Sequence, residues 1–352
     1  MNANIYRKTF ENINIDDKFF QSLKDDYPEF VPWFQKKNKQ DAFVQYDEDG
    51  DISGFLYLKL EEKIINDVRP AIIAKKILKV GTFKINAHGT KMGEQFIKII
   101  MDYAINEDVD VCYTTIFPKH QRLIALIKSF GFEEYGEKGD YSKPEKVFVK
   151  NMRRISGNIN NDYPLIKTNG VNKYLLSIYP KYHSVMFPDS ILTTENKDII
   201  TDISYTNSIH KIYVCTMGVD VLKHGDIIIL YRTGEEGRSA EYSSVATSIC
   251  VVDSVKEQSE FGSFNEFYNY SSKYSVFNKA DLKYWYNRGG CKAIKMTYNV
   301  AMKKRIVRHD LIEKAGLNRN DYWGFLQIND QQFTKIIQLS KINSNILCEH
   351  TF

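Results

Sequence analysis

Cysteine is scarce here, with five in 352 residues, and the five are scattered. Cys112, Cys215, Cys250, Cys291 and Cys348 are odd in number and no two are close, which excludes a disulfide framework and a zinc knuckle. They are expected as small buried apolar side chains, and no metal site is expected. Long hydrophobic runs are also missing. No stretch approaches the ~20 apolar residues of a membrane span. Met1–Phe10 has no apolar core of a secretory signal. These absences predict a cytoplasmic protein with no membrane partner. Nor does one sign of charge dominate: 48 Lys and Arg stand against 44 Asp and Glu, a net charge of +4.

A chain of this length exceeds what one hydrophobic core normally organises, so two domains are expected. The polar stretch from Asn151 to Gly170, rich in Asn and Gly, reads as a break. The division predicted is 1–152, a linker over 153–170, and 171–345. The small net charge is unevenly spread. Between Asn265 and Asn320 twelve Lys and Arg face four Asp and Glu, whereas Met1–Phe264 holds 34 against 37. A basic stretch in a near-neutral chain suits either a polyanion partner or a solvated face.

In the N-terminal part the pattern predicts β-α-β-β-β-α-β-α-β-β. Strands are expected at Ile5–Phe10, Ala42–Tyr46, Ile52–Leu60, Lys76–Ile85, Val109–Phe117, Phe132–Tyr135 and Val147–Lys150. A helical region, broken near Pro28 and Pro32, spans Asp16 to Lys39. Met92, Phe96, Ile99, Ile100 and Tyr103 share a face of a helix over 92–106, and a second helix covers Gln121–Phe130 and stops at Gly131. The loop before the first of these helices is His88-Gly89-Thr90-Lys91-Met92-Gly93. A strand, a glycine-containing loop and a helix N-terminus make an anion site, because the first-turn N–H groups are free and the dipole favours negative charge. A plain turn has the same look.

This loop resembles the coenzyme A signature of GNAT-type N-acetyltransferases, Q/R-x-x-G-x-G/A. His88 stands at the Gln/Arg position, Gly93 matches the last Gly, and Lys91 replaces the middle Gly. A second segment, His120 to Phe132, resembles the family's N-x-x-A-x-x-L-Y-x-x-x-G-F, with Leu126, Gly131 and Phe132 matching. His120 takes the Asn position and Ile127 the Tyr position. The resemblance covers residues 4–152. It implies a mixed sheet with helices on both faces and acetyl-CoA as cofactor. The pyrophosphate would rest on N–H groups of Gly89, Thr90, Lys91, Met92, Gly93 and Glu94, and the pantetheine arm would bond backbone near Phe83 and Ile85. The acceptor amine would attack the thioester directly, with catalysis by positioning and by a backbone N–H at the carbonyl. The tyrosine that serves many relatives as proton donor is absent. His120 is the candidate acid or base, with Tyr113, Tyr135 and Tyr141 unranked.

The C-terminal part reads as β from Lys211 to Val255. Strands are expected at Ile212–Thr216, Ile227–Arg232, Ser243–Val255, Lys292–Tyr298 and Trp323–Ile328, with helices at Arg308–Ala315 and Asp330–Leu339. The turn ending Gly225-Asp226, its apolar strand and the Ala/Val-rich strand SSVATSICVV resemble PUA-like barrels of the ASCH and EVE group. The class is therefore α+β throughout, the second domain a small β-barrel with flanking helices. The resemblance implies RNA, ahead of DNA, or a modified base as partner. Tyr231, Arg232, Tyr242, Ser243 and Ser244 are pocket candidates, Trp285 and Trp323 could stack a base, and Lys303, Lys304, Arg305 and Arg308 could hold phosphates. Core packing and a solvated charge run are the plainer alternatives. The expectation is an acetyl-CoA-dependent N-acetyltransferase acting on an amine of RNA, aminoacyl-tRNA or a modified base, with a homodimer allowed. Competing readings are a protein or small-amine acetyltransferase whose second domain binds a partner, and a non-catalytic nucleic-acid binder with a decayed acyltransferase fold.

Overall fold

The computed structural model describes residues 5–86, 92–140, 142–187 and 209–349. These fall into two compact units that divide between Arg153 and Arg154, and both are α+β. Among the described residues no helix is long and apolar enough to cross a membrane, and no group of His, Cys, Asp and Glu is set to hold a metal. All five cysteines are free, with Cys348 half-buried and the others buried.

In the first unit eight strands form one sheet: β1 (Ile5–Thr9), β2 (Asp41–Tyr46), β3 (Ile52–Ile65), β4 (Val68–Arg69), β5 (Ile72–Ile85), β6 (Val111–Ile116), β7 (Glu133–Lys138) and β8 (Glu145–Asn151). Their spatial order is β1-β2-β3-β5-β6-β8-β7-β4. Only β5 and β6 pair in parallel; the other neighbours are antiparallel. The predicted helical region resolves into two short helices, α1 (Gln21–Asp26) and α2 (Phe30–Gln35). The longer α3 (Met92–Asn106) and α4 (Gln121–Lys128) follow.

Helices cover both faces. Phe55 on β3 meets Phe20 and Phe34, beside α1 and on α2, at 5.2 and 6.2 Å between rings. Its neighbour Gly54 points the other way, as strand alternation demands, and a Cβ there would sit 2.5 Å from Phe96 of α3. The β2–β3 turn is locked by Asp47, whose side chain accepts from Asp49 N and Asp51 N at 3.1 and 2.9 Å. Gly50 supplies its left-handed residue at φ +85°. Gly131 ends α4 at φ +80°. The sequence pattern missed β4, since two residues carry no periodicity. β4 lies so close on β7 that a Cβ at Gly136 would meet the Arg69 carbonyl oxygen at 2.0 Å.

The second unit holds a six-stranded sheet in the order β11-β14-β13-β12-β10-β15. Its strands are β10 (Lys173–Ile178), β11 (His210–Cys215), β12 (Ile227–Arg232), β13 (Val245–Glu257), β14 (Lys292–Val307) and β15 (Phe325–Ile328). Asp226 explains the Gly-Asp turn: its carboxylate accepts from Asn172 N and Lys223 N at 3.0 and 2.8 Å, tying the starts of β10 and β12. β10 itself, parallel to β12, was not anticipated.

The expected linker over 153–170 is corrected. Its polar residues are used as caps, not as a flexible tether. Asp162 accepts from Ser156 N, Ser156 Oγ and Gly157 N at 2.6–2.8 Å, and Asn158 caps helix α5 (Ile159–Asp162). Ile155, Tyr163, Leu165 and Ile166 are buried. The strand β9 (Ile166–Lys167) pairs with β16 (Leu347–Cys348). The segment is part of the second unit.

Candidate functional site

The parallel pairing of β5 with β6 runs from Ile77↔Val111 to Val80↔Thr114 and no further. Both strands continue, β5 to Ile85 and β6 to Ile116, so they part. A register shift marks the spot: Leu58 on β3 pairs with Val80 and Tyr57 with Thr82, leaving Gly81 as the extra residue of a bulge. A Cβ at Gly81 would lie 2.8 Å from the Tyr57 ring. Beyond the bulge the β5 main-chain groups that point toward β6 have no ladder partner among the described residues. A cleft of 1350 Å³ occupies the gap, lined by 80–85 of β5 with Asn86 after it and by 114–116 of β6 with Phe117 after it. One end reaches Gly93 at the start of α3 and Arg122 and Leu126 of α4; the other reaches Lys37, Lys59, Glu61, Lys79 and Lys138.

Several titratable groups face this cleft. The Tyr27 hydroxyl donates to Glu145 Oε1 at 2.6 Å, and Thr115 Oγ1 donates to the same oxygen at 3.2 Å. Burial, and then the Glu145 charge, push the Tyr27 hydroxyl well above the usual range. Tyr113 donates to Glu61 at 2.7 Å and Lys59 holds the same carboxylate at 2.8 Å. Burial raises the Glu61 carboxyl, but the hydrogen bonds from Lys59 and Tyr113 outweigh it and hold it below the ordinary carboxylate range. The ammonium of Lys79 lies 5.6 Å from the Tyr113 ring centre. Burial and then the charge of Lys138 push it below the usual lysine range, against the pull of Glu61 and Asp67.

The sequence-derived residues distribute as follows. Phe83 and Ile85 line the cleft on β5, and Met92, Gly93 and Glu94 form the first turn of α3. His88, Gly89, Thr90 and Lys91 lie outside the described residues, as does Tyr141. Gly93 has a packing reason of its own: a Cβ would fall 2.8 Å from Leu126 Cδ2 and 3.6 Å from Ile85 Cδ1. Two of the matching positions of the resemblance, Gly93 and Leu126, thus touch each other. His120 caps the start of α4 at the cleft rim, its Nε2 3.5 Å from Asp26, which Lys119 also engages. Tyr113 is buried beneath Lys79, and Tyr135 donates to Ala71 O away from the cleft. Sequence reasoning missed Tyr27, Glu145, Lys37 and Lys79, because nothing local reveals which strand faces share the gap.

In the second unit the structure brings Tyr231, Ser244, Arg308 and Trp323 together. Tyr231 and Ser244 are buried; Ser244 Oγ accepts from Gly234 N at 2.7 Å. Arg232 is buried with its guanidinium on Thr233 O and Glu235. Tyr242 is exposed and stacks on His309, and Ser243 bonds back within its own turn to Ser239 O. Trp323 is corrected as a stacking platform. It is 7% exposed, Arg308 sits 4.3 Å over its ring, and Tyr231 packs 5.4 Å away. That also commits Arg308, whose guanidinium donates to Arg319 O. Trp285 is half-buried against the unit's core with Arg288 5.8 Å from its ring. Lys303 and Lys304 are exposed and Arg305 half-buried. All three lie where the β13–β14 register jumps from Ala246↔Ile306 to Ser248↔Ala301, so they bulge out of the ladder.

No protein-family model matches the chain and no curated protein does. Among solved structures the chain is similar to the ASCH protein of Zymomonas mobilis, with TM-score 0.34 and 9% identity over 47% of this chain and 94% of that one. It is also similar to Naa20 of Chaetomium thermophilum in complex with a bisubstrate analogue, with TM-score 0.32 and 17% identity over 42% and 84%. A GNAT family acetyltransferase from Elizabethkingia anophelis with acetyl-CoA bound gives TM-score 0.30 and 11% identity over 42% and 97%. Identity this low speaks for no shared activity.

Proposed function

We propose that the first unit is an acetyl-CoA-dependent N-acetyltransferase and that the second selects a nucleic-acid-linked acceptor. The observation that carries the proposal is the parting of β5 from β6 beyond Val80 and Thr114, which opens a cleft onto the first turn of α3. Its 1350 Å³ exceeds the ~300–1,000 Å³ of ordinary small-molecule pockets, room for an extended arm and an acceptor together. Main-chain groups of Phe83 and Ile85 would hold the pantetheine, and the N–H groups of Met92, Gly93 and Glu94, with the loop before them, the pyrophosphate. Acetyl-CoA, when bound, supplies an activated acyl group.

The rest falls to the chain's own residues. The unladdered β5 main chain near the bulge would orient the acyl carbonyl. Glu145, held by Tyr27 and Thr115, would take the proton that the acceptor amine loses on attack. As the C–S bond of the thioester breaks, His120 at the rim, beside Asp26, would give a proton to the leaving thiolate. Selection of nucleic acid would rest on the exposed Lys303 and Lys304 of the β14 bulge, with Arg305 half-buried beside them.

Calorimetric titration of the full chain with acetyl-CoA tests the first half. Micromolar affinity is expected, on the order of −8 kcal/mol; absence of binding retires the acyltransferase reading and leaves the nucleic-acid binder. Incubation with labelled acetyl-CoA and total RNA, DNA and protein tests the second. Label is expected in the RNA fraction, and label confined to protein would move the acceptor there.

A further inference from the structure

The end of the cleft away from α3 carries an excess of positive charge that ion pairing does not use up. Lys59 is paired with Glu61 at 2.8 Å and Lys138 with Asp67 at 2.5 Å. Lys37 and Lys79 have no carboxylate within ion-pair distance among the described residues. The Lys37 ammonium is held by neutral groups, the Tyr57 hydroxyl at 2.9 Å and Gln40 Oε1 at 3.3 Å. It also lies 4.6 and 5.2 Å from the ring centres of Tyr57 and Trp33. The Lys79 ammonium lies 5.6 Å from the Tyr113 ring centre, beside the ammonium of Lys138. Both belong to one surface. Lys79 pairs in register with Lys59 and with Tyr113, and Tyr57 is two residues from Lys59, so strand alternation turns all of these side chains to the same face. Both ammoniums are costly where they sit. Burial pushes each below the usual lysine range, and a neighbouring lysine, Lys59 for Lys37 and Lys138 for Lys79, pushes further. Two half-buried cations with no carboxylate in ion-pair distance among the described residues, in a cluster where Lys37, Lys59, Lys79 and Lys138 face only Glu61 and Asp67, form a site for an anion at one end of an open cleft.

We infer that this end binds an anionic group carried by the acceptor next to its amine, with Lys37 and Lys79 as the ligating pair. The inference rests on the acetyltransferase reading for the word acceptor; the anion site stands on the lysines. It excludes a polyamine, whose charges these lysines repel. A phosphate, as on a nucleotide, and a carboxylate, as on an amino acid, share the required chemistry.

The test uses the full chain, saturated with coenzyme A, titrated calorimetrically with phosphoethanolamine, β-alanine and ethylenediamine at matched ionic strength. At least one of the two anionic amines is expected to bind and the diamine is not. Binding of phosphoethanolamine alone assigns a phosphate, and of β-alanine alone a carboxylate. Lys37→Met and Lys79→Met are each expected to weaken that binding about tenfold or more, with coenzyme A affinity unchanged within about twofold. Unchanged circular dichroism checks that both variants fold. Diamine binding as tight as the anionic amines, no binding by either anionic amine, or binding indifferent to both substitutions would overturn the inference. If coenzyme A fails to bind while the anionic amines still bind through the lysines, the acetyltransferase reading falls and the anion site remains.

Discussion

Gly93 illustrates how one residue can match a motif for two reasons. In the phosphate-binding role proposed for it, it would let a ligand approach the backbone. In the structure it also lets Leu126 of α4 close over the start of α3, with 2.8 Å left for a Cβ. Gly93→Ala is therefore expected to forfeit, by pressing on Leu126 Cδ2, the ~1 kcal/mol that alanine otherwise gains over glycine in a helix, read by urea denaturation without ligand. Adding Leu126→Ala should cost less than the sum of the two single changes, and strict additivity would show that the two residues do not press on each other. His183 in the second unit gives a pH-dependent counterpart. It is fully buried, with Nε2 2.8 Å from Thr247 Oγ1 and no hydrogen-bond partner on Nδ1 among the described residues. Burial first, then the charges of Arg232 and Arg305, push it down to about 3. Between about 6.5 and 3 the unfolded chain thus binds a proton that the folded chain refuses. The stability this group contributes is complete above about pH 6.5 and is lost as pH falls, at up to about 1.4 kcal/mol per pH unit. His183→Gln should flatten that acid limb in denaturation midpoints measured from pH 7 to 4; an unchanged slope would mean that other groups set it.

At the scale of elements, the decisive features are two interruptions of strand pairing. The β5–β6 ladder stops at Val80↔Thr114 and makes a cleft. The β13–β14 ladder jumps between Ala246↔Ile306 and Ser248↔Ala301 and leaves a basic run out of register, with Lys303 and Lys304 exposed. If that run holds phosphates, affinity of the full chain for RNA should fall steeply with salt. Reversing Lys303, Lys304 and Arg305 together should flatten the slope for all sequences, measured by fluorescence anisotropy. Trp323→Ala, by contrast, should destabilise the unit without a selective loss of RNA affinity, because Arg308 and Tyr231 already occupy its faces. A slope untouched by the triple reversal would leave the run as a solvated surface.

At the scale of the whole molecule, the two units follow different logics of assembly. The first is a single mixed sheet with helices on both faces, and its cleft is a property of the sheet. The second absorbs the segment expected to join them, using Asp162 and Asn158 as caps and β9–β16 as a clasp between Ile166–Lys167 and Leu347–Cys348. A change that spoils those caps, such as Asp162→Ala, therefore acts on the fold of the second unit rather than on a hinge.

What the sequence determined by itself was whatever is written in local periodicity. The helix over Met92–Asn106, the strand Ile227–Arg232 and the stop at Gly131 all stand as the pattern predicts, because each depends on neighbours within a few residues. The resemblance around Gly93 and His120 to Phe132 was legible for the same reason. The tertiary structure decided which strand edges stay unpaired, and that a polar stretch of caps is not a linker. It also decided that the faces of Trp323 are filled, and that Lys37, from the turn after α2, and Lys79 of β5 share one face with Tyr113. These are long-range facts. Register and alternation carry a side chain to one face or the other, and a one-residue bulge at Gly81 is enough to exchange them.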